Sequence, residues 1–240
     1  MGVINRDDPR VRAMAGTAAQ DVGFSLGVPS GSDYGLSEHG GETWLCRGDR
    51  RLIPVAELQL QGSHNIANAL AALALGDAAG LPVTAMLQGL RQFRGLSHRS
   101  QLVRERKGVR WYNDSKGTNP GATLAALEGL HPASGAGRAV LIAGGDGKGA
   151  DFSELAPVVE RTCRSVILIG RDAPLLQAAL QGSAPLKQAE SLEQAVGLAA
   201  ELAQPGDHVL LSPACASFDM FRSFEHRGKV FAAAVQALPE

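Results

Sequence analysis

The 240-residue sequence is 45% hydrophobic, enough for a sizeable core and more than a single small domain needs, so two structural units are expected. Its 23 basic and 24 acidic residues leave a formal charge of −1, so no chain-wide field draws nucleic acid or an anionic membrane, and any anion site must be local. Cys46, Cys163 and Cys215 are odd in number, far apart and without CxxC spacing, which argues against a disulfide framework or a zinc site and favours a reducing cytoplasm.

The N-terminal MGVINRDDPR is charged rather than signal-like, and Arg6 stands where a myristoylation motif needs Ser or Thr. The longest apolar stretch, around ALAALAL, is broken by Gly76 and Asp77 well short of the roughly 20 residues that span a bilayer. Residues 1–60 hold short β-type runs, FSLG, ETWLCRG and RRLIPV, between the turn signals VPSGSDYG and EHGGE, and read as a small antiparallel region. From Ser63 the period becomes helical. Ile66, Leu70 and Leu73 predict a helix over 64–75; after Gly80 and Pro82, Met86, Leu87, Leu90 and Phe93 predict another over 82–93. RGLSHR closes this unit, which divides the chain into 1–96 and 97–240.

The second unit alternates strands and helices. SQLVRERKGVRWYNDS predicts a hairpin turning at Lys107 and Gly108. Then follow NPGATLAALEGL (helix), AVLIAGG (strand), FSELAPVVERTC (helix), SVILIG (strand), DAPLLQAALQ (helix), SLEQAVGLAAEL (helix), HVLLSPA (strand) and FEHRGKVFAAAVQAL (helix). The strands are continuous Val, Ile and Leu runs, as in a sheet covered on both faces. The pattern is α/β, a doubly wound, mostly parallel sheet, whose ligands belong where strands end in loops.

Four segments carry candidate chemistry. LIAGGDGKGADF contains glycines and Lys148, but a P-loop needs glycine five residues before Gly147 and a hydroxyl after the lysine; Ile142 and Gly149 stand there instead. Either Lys148 meets an anion at the sheet edge or it is a solvated turn lysine. In WYNDSKGTNPGA, Asp114, Ser115, Lys116 and Thr118 crowd one strand-to-helix loop, with Thr118 or Asn119 as helix cap and Pro120 at the first helical position. An acid for hydroxyls or a metal and a lysine for phosphate fit a nucleotide end; ordinary capping with a surface ion pair is the alternative. In LLSPACASFDMFRSFEHRG, Ser217 is a candidate cap for the last helix, and Phe224, Phe231, Val235 and Leu238 share helical spacing and read as core. Phe218 and Phe221 lie nearer the strand end, where backbone amides suit a carboxylate. Cys215 lacks a motif-placed histidine to activate it and reads as packed. In GSHNIANAL, Asn65 and Asn68 share one face, opposite Ile66, Leu70 and Leu73, suited to an adenine edge or to capping. The six histidines show no metal-ligand spacing.

Taken together and in order, NRDDP, GSHNIANALAALALGDAAGLP, GLSHR, WYNDSKGTNPGATLAAL, GGDGKGADF and LSPACASFDMFRSFEHRG resemble the C-terminal two-fifths to half of a Mur ligase, of the type that adds D-glutamate. The last two segments separate that type from Mur ligases adding other amino acids and from folylpolyglutamate synthetases. The resemblance implies a Rossmann-like C-terminal domain over 97–240, preceded over 1–96 by the tail of a central ATPase domain. It implies ATP-dependent amide formation in peptidoglycan precursor synthesis: the carboxylate of UDP-N-acetylmuramoyl-L-alanine is phosphorylated, and the D-glutamate amine attacks the acyl phosphate. By motif match, Asn65 and Asn68 face adenine, and Arg99 and Asp114 contact the phosphate and ribose parts of ATP. Lys116 and Thr118 lie near the reacting groups. Lys148, Ser217, Phe218 and Phe224 form the D-glutamate pocket. Family members carry upstream a uridine-nucleotide domain, a P-loop and most of the Mg2+ ligands. None of these motifs occurs here, so no metal ligand is assigned, the chain alone is expected to be inactive, and helices 64–75 and 82–93 are expected to leave apolar surface exposed. No nucleic-acid or membrane partner is expected. The competing readings are a Mur- or folylpolyglutamate-type ligase for another amino acid and a non-catalytic binding module.

Overall fold

A computed structural model describes residues 1–60, 62–131 and 137–240. The chain divides into two units, residues 1–95 and 96–240.

In the first unit, the described residues form a five-stranded sheet in the order β1 (Gly2–Asn5), β2 (Asp21–Phe24), β3 (Tyr34–His39), β4 (Glu42–Arg47), β5 (Arg50–Pro54). β3, β4 and β5 form an antiparallel meander, in which β4 and β5 were expected from ETWLCRG and RRLIPV, whereas β3 lies where turns were expected and only Phe24 of FSLG is in a strand. The correction is that β1 and β2 add a parallel edge, linked by the short helix α1 (Pro9–Arg12). GVIN and DVGF are too short and too mixed to register as strands by alternation.

Helix α2 (Ser63–Ala78) lays Leu70, Leu73 and Ala74 against Tyr34, Leu45 and Ile53 of the sheet. It runs three residues past its expected end, through Gly76 and Asp77, which the sequence presents as breakers. Gly76 lets α3 (Val83–Gln92) approach, since a Cβ there would collide with the Met86 sulfur. Asp77 pairs with Arg47 of β4 at 2.7 Å, tying helix to sheet. Leu75, Leu81 and Phe93 are exposed. Among the described residues, no helix is long and apolar enough to cross a membrane.

The second unit contains β6 (Gln101–Arg106), β7 (Val109–Asn113), α4 (Pro120–Leu130), β8 (Ala139–Gly144), α5 (Leu155–Thr162), β9 (Cys163–Ile169), α6 (Ala173–Leu180), β10 (Leu186–Gln188), α7 (Leu192–Leu202), β11 (His208–Leu211) and α8 (Phe224–Ala237). Its sheet runs β10-β9-β8-β11-β7-β6 and is parallel except for the β6–β7 hairpin at its edge. That hairpin turns at Lys107 (φ 50°) and Gly108 (φ 73°), the left-handed pair that a two-residue turn requires. Alternate residues of β8 feed opposite cores. Leu141 packs with Leu127, Leu155 and Leu176 under α4, α5 and α6, while Val140 and Ile142 pack with Val196 and Phe231 under α7 and α8. Two details differ from the sequence reading. Cys163 opens β9 rather than closing α5, and the three-residue edge strand β10 was not anticipated.

From β8 the chain winds outward through β9 to β10, then returns to β11 on the other side of β8. This reversal is the topological switch at which a doubly wound sheet opens a crevice, at the C-terminal ends of its strands.

Candidate functional site

Three loops meet the crevice end of the sheet. The first follows β7. Asn113 anchors it: its Nδ2 donates to the Gly228 carbonyl at 3.1 Å, and its Oδ1 accepts from the Ser115 amide at 3.1 Å. Asp114 is 7% exposed and accepts from the Ser212 hydroxyl at 2.7 Å and the Ser100 amide at 3.0 Å. Burial pushes its carboxyl up to about 6, against the pull of those bonds and of the Arg99 charge. Gly117 permits this packing, because a Cβ there would press on both Asp114 Oδ2 and Ser212 Oγ at 2.6 Å. Lys116 and Thr118 point outward and are exposed. The Lys116 ammonium lies 4.4 Å from the centroid of the Phe224 ring, and His98 meets the same ring edge-on at 6.0 Å. Asn119 caps α4, accepting from the Ala122 amide at 2.9 Å, with Pro120 at the first position.

The second loop follows β8. Gly144 (φ 127°) and Gly145 (φ 131°) occupy conformations closed to other residues, and a Cβ on either would strike the Ile169 or Ala216 carbonyl. Asp146 and Ala216 exchange two backbone hydrogen bonds, 3.0 and 2.8 Å. The Asp146 side chain accepts from the Lys148 amide at 3.0 Å and pairs with Arg171 at 2.5 Å. The Lys148 N–H, backed by the Arg171 guanidinium, holds this carboxyl below the usual carboxylate range. Lys148 itself is exposed, in a left-handed conformation (φ 52°).

The third loop follows β11. Cys215 is fully buried and its thiol is pushed up to about 12, so it is a packed residue and not a nucleophile. Ser217 is buried, and its carbonyl accepts from the Phe221 amide at 2.7 Å; Phe218 beside it is 69% exposed. Ser217 does not cap α8. Ser223 does, its hydroxyl accepting from the His226 amide at 3.2 Å. Phe231 and Val235 are buried core, as their spacing suggests, and Leu238 packs beside them. Phe224 departs from that stripe, half-buried against His98 and Lys116.

The sequence reading missed Arg227. It is 1% exposed, and its guanidinium donates to the carbonyls of Ser115 (2.9 Å), Cys215 (3.0 Å) and Ala216 (3.3 Å), lashing the first loop to the third. The available signal was its position: three residues after Phe224 and four before Phe231, a charge lies on the buried stripe of an amphipathic helix.

The fold thus gathers Lys148, Ser217 and Phe218 on adjacent strand-end loops, and Arg99, Asp114, Lys116, Thr118 and Phe224 around the end of β7. Asn65 and Asn68 belong to the first unit, in the first two turns of α2, half-buried and exposed respectively. Among the described residues no side chain caps that helix, whose N-cap is Gly62. Among the described residues no group of three or more His, Cys, Asp or Glu side chains is placed to hold a metal ion by itself.

Residues 98–215 match the Mur ligase glutamate ligase domain. The chain belongs to the Mur ligase family. It is 53% identical over 236 residues to a Pseudomonas aeruginosa protein and to one from Nitrosococcus oceani, and 54% identical over 242 residues to one from Aromatoleum aromaticum. Each is named UDP-N-acetylmuramoylalanine--D-glutamate ligase. These matches cover 98%, 98% and 99% of the chain and 52%, 51% and 51% of the relatives, so the chain spans about half their length. Among solved structures it resembles UDP-N-acetylmuramate-alanine ligase MurC from Thermotoga maritima (TM-score 0.67, 17% identity, 98% of this chain and 51% of that one). It also resembles MurF ligase from Thermotoga maritima in complex with ADP (TM-score 0.66, 19% identity, 98% and 53%). At such identities the likeness is one of fold, and the Mur ligase fold covers nearly the whole chain.

Proposed function

We propose that this chain is the amino-acid-binding and nucleotide-closing part of an ATP-dependent ligase that joins D-glutamate to UDP-N-acetylmuramoyl-L-alanine in peptidoglycan precursor synthesis. The observation that carries this reading is the Asp146–Ala216 backbone pair, which sets the Lys148 loop beside Ser217 and Phe218 at the sheet's topological switch. A cation, a strand-end segment with backbone amides and an exposed ring suit a small dicarboxylic amino acid. The relatives' shared name supports the choice of D-glutamate.

ATP supplies the phosphoryl group that activates the muramoyl-alanine carboxylate. For that nucleotide Asp114 offers a free lone pair on each oxygen, beyond those engaged by Ser212 and Ser100, and so accepts ribose hydroxyls. Arg99 contributes a phosphate contact, and Asn65 and Asn68 read the adenine edge. Lys116, exposed beside Phe224, offsets negative charge where the acyl phosphate meets the incoming amine, with Thr118 close by. Lys148 takes a D-glutamate carboxylate, Ser217 and Phe218 line the amino acid, and Phe224 closes the pocket on the Lys116 side. Calorimetric titration of the chain with D-glutamate, L-glutamate, L-alanine and diaminopimelate tests the reading. Saturable binding confined to D-glutamate supports it, and preference for any of the other three overturns it.

A further inference from the structure

Asp172 occupies the N-cap position of α6, ahead of a proline in the first turn. An aspartate there ordinarily turns its carboxylate onto its own helix and satisfies one of the free amides of the first turn. Here it does not, and among the described residues no side chain caps α6. The carboxylate instead crosses to the loop after β8 and accepts from the Gly147 amide at 2.7 Å, while the Asp172 amide donates to the Gly145 carbonyl at 3.0 Å. One residue therefore grips the loop at two points. Gly147 lies over the buried ring of Phe152, where a Cβ would approach two ring carbons at 2.7 and 3.2 Å, so the loop has little slack on its inner side. On its other flank it is held by the Asp146–Ala216 pair. Lys148 follows, in its left-handed conformation.

We propose that Asp172 is a positioning residue for Lys148. Its carboxylate fixes the 145–149 loop, and through that loop the direction in which the lysine meets the carboxylate of the incoming amino acid. This rests on the reading of Lys148, Ser217 and Phe218 as the D-glutamate pocket. The carboxylate does not touch the ligand; it acts through the Gly147 amide.

Two variants of the full 240-residue chain separate this role from a structural one. Asp172→Ser is too short to reach Gly147, and the backbone at 172 (φ −96°, ψ 18°) is not the extended form that turns a side chain onto its own helix, so the variant loses the loop contact without gaining a cap, and its melting temperature is recorded beside the other readouts. Asp172→Asn keeps an acceptor at the right distance without the charge. Hydrogen exchange at the Gly147 and Lys148 amides, referenced to Ile142 in β8, reads the loop, and calorimetric titration with D-glutamate reads the pocket. At a temperature where both proteins stay folded, Asp172→Ser is expected to speed Gly147 exchange at least tenfold and weaken D-glutamate binding at least fivefold while Ile142 exchange stays as in the parent. Asp172→Asn stays within threefold of the parent in both. Unchanged Gly147 exchange in Asp172→Ser, unchanged D-glutamate binding there, or an Asp172→Asn as impaired as the serine variant overturns the proposal. If the parent shows no saturable D-glutamate binding while Gly147 protection is lost in Asp172→Ser, the loop-holding role stands and the pocket reading fails.

Discussion

Arg227 donates to the carbonyl oxygen of Ser115 at 2.9 Å, from a helix to the loop that presents Lys116. The same guanidinium reaches Cys215 and Ala216, so one side chain replaces water for carbonyls on two strand-end loops. Burial lowers its pKa to about 10, which leaves it charged near neutrality, yet no carboxylate is among its described partners and Nε finds no acceptor. The Asp219 charge nearby favours the cation, but a buried guanidinium with no hydrogen-bonded carboxylate is still costly, so its value must lie in what it holds together. Arg227→Met leaves the carbonyls unsatisfied at about 1–3 kcal/mol each before relaxation. The expected net loss is about 3 kcal/mol in urea unfolding at constant slope, with Arg227→Lys recovering only part because an ammonium cannot reproduce the planar fork. A methionine variant as stable as the parent removes the clamp from the account.

Asp114 predicts a pH dependence of definite sign. Its folded pKa, about 6, lies above the unfolded value near 4, so its contribution is fully present below about pH 4 and is lost as pH rises through about 6. Two units correspond to about 3 kcal/mol as an order of magnitude. Asp114→Asn, with the Ser212 hydroxyl free to rotate, removes this slope. The stability difference between variant and parent is expected to shift in the variant's favour across pH 4 to about 6 and then level off. A difference that stays flat with pH shows that Asp114 titrates normally.

His208 tilts the other way. It is buried at the start of β11, edge-on to Tyr112 at 6.3 Å, and burial drives its pKa down to about 4, with the Arg110 charge adding to the effect. A base with a depressed folded pKa contributes stability that is present above about pH 6.5 and is lost as pH falls toward about 4, again by about 3 kcal/mol. Between about pH 6 and pH 4 the two groups oppose each other, so the parent's acid limb is expected to be shallow. His208→Leu should make stability rise on acidification through that window, as the Asp114 contribution emerges uncancelled. Circular dichroism during urea titration at half-unit pH steps measures it, and a variant with the parent's pH profile contradicts it.

Much of this was legible because each strand end concentrates unusual residues. Glycines that meet a carbonyl at Cβ distance, a lysine among them and an aspartate before a capped helix leave traces in any reading of the chain. The Lys107–Gly108 hairpin was legible for the same reason. The residues missed are those whose meaning depends on where a side chain goes. Asp172 reads as a helix cap by position, and only the fold shows its carboxylate leaving for Gly147. Ser217 is the cap the sequence suggests, and the start of α8 at Phe224 gives that role to Ser223 instead. Gly76 and Asp77 look like a helix end until Met86 and Arg47 supply the reasons for both. β10 is three residues long at a sheet edge, below the length at which alternation carries information.

Lys148 separates binding from stability most sharply. It is exposed and sits at φ 52°, a conformation that costs a non-glycine residue about 1–2 kcal/mol and glycine almost nothing. Lys148→Gly relieves that strain, at the cost of a more flexible unfolded chain worth about 0.5–1 kcal/mol. The glycine variant is therefore expected to be as stable as the parent or more so, by up to about 1 kcal/mol. Lys148→Ala keeps the strain and gains nothing. Both remove the ammonium. On the proposed role both should lose D-glutamate binding at least tenfold, and in a full-length ligase the Michaelis constant for D-glutamate should rise far more than that for ATP. Equal losses for the two substrates, or D-glutamate affinity that tracks the stability order of the two variants, would show that the loop's shape rather than the lysine's charge is what matters.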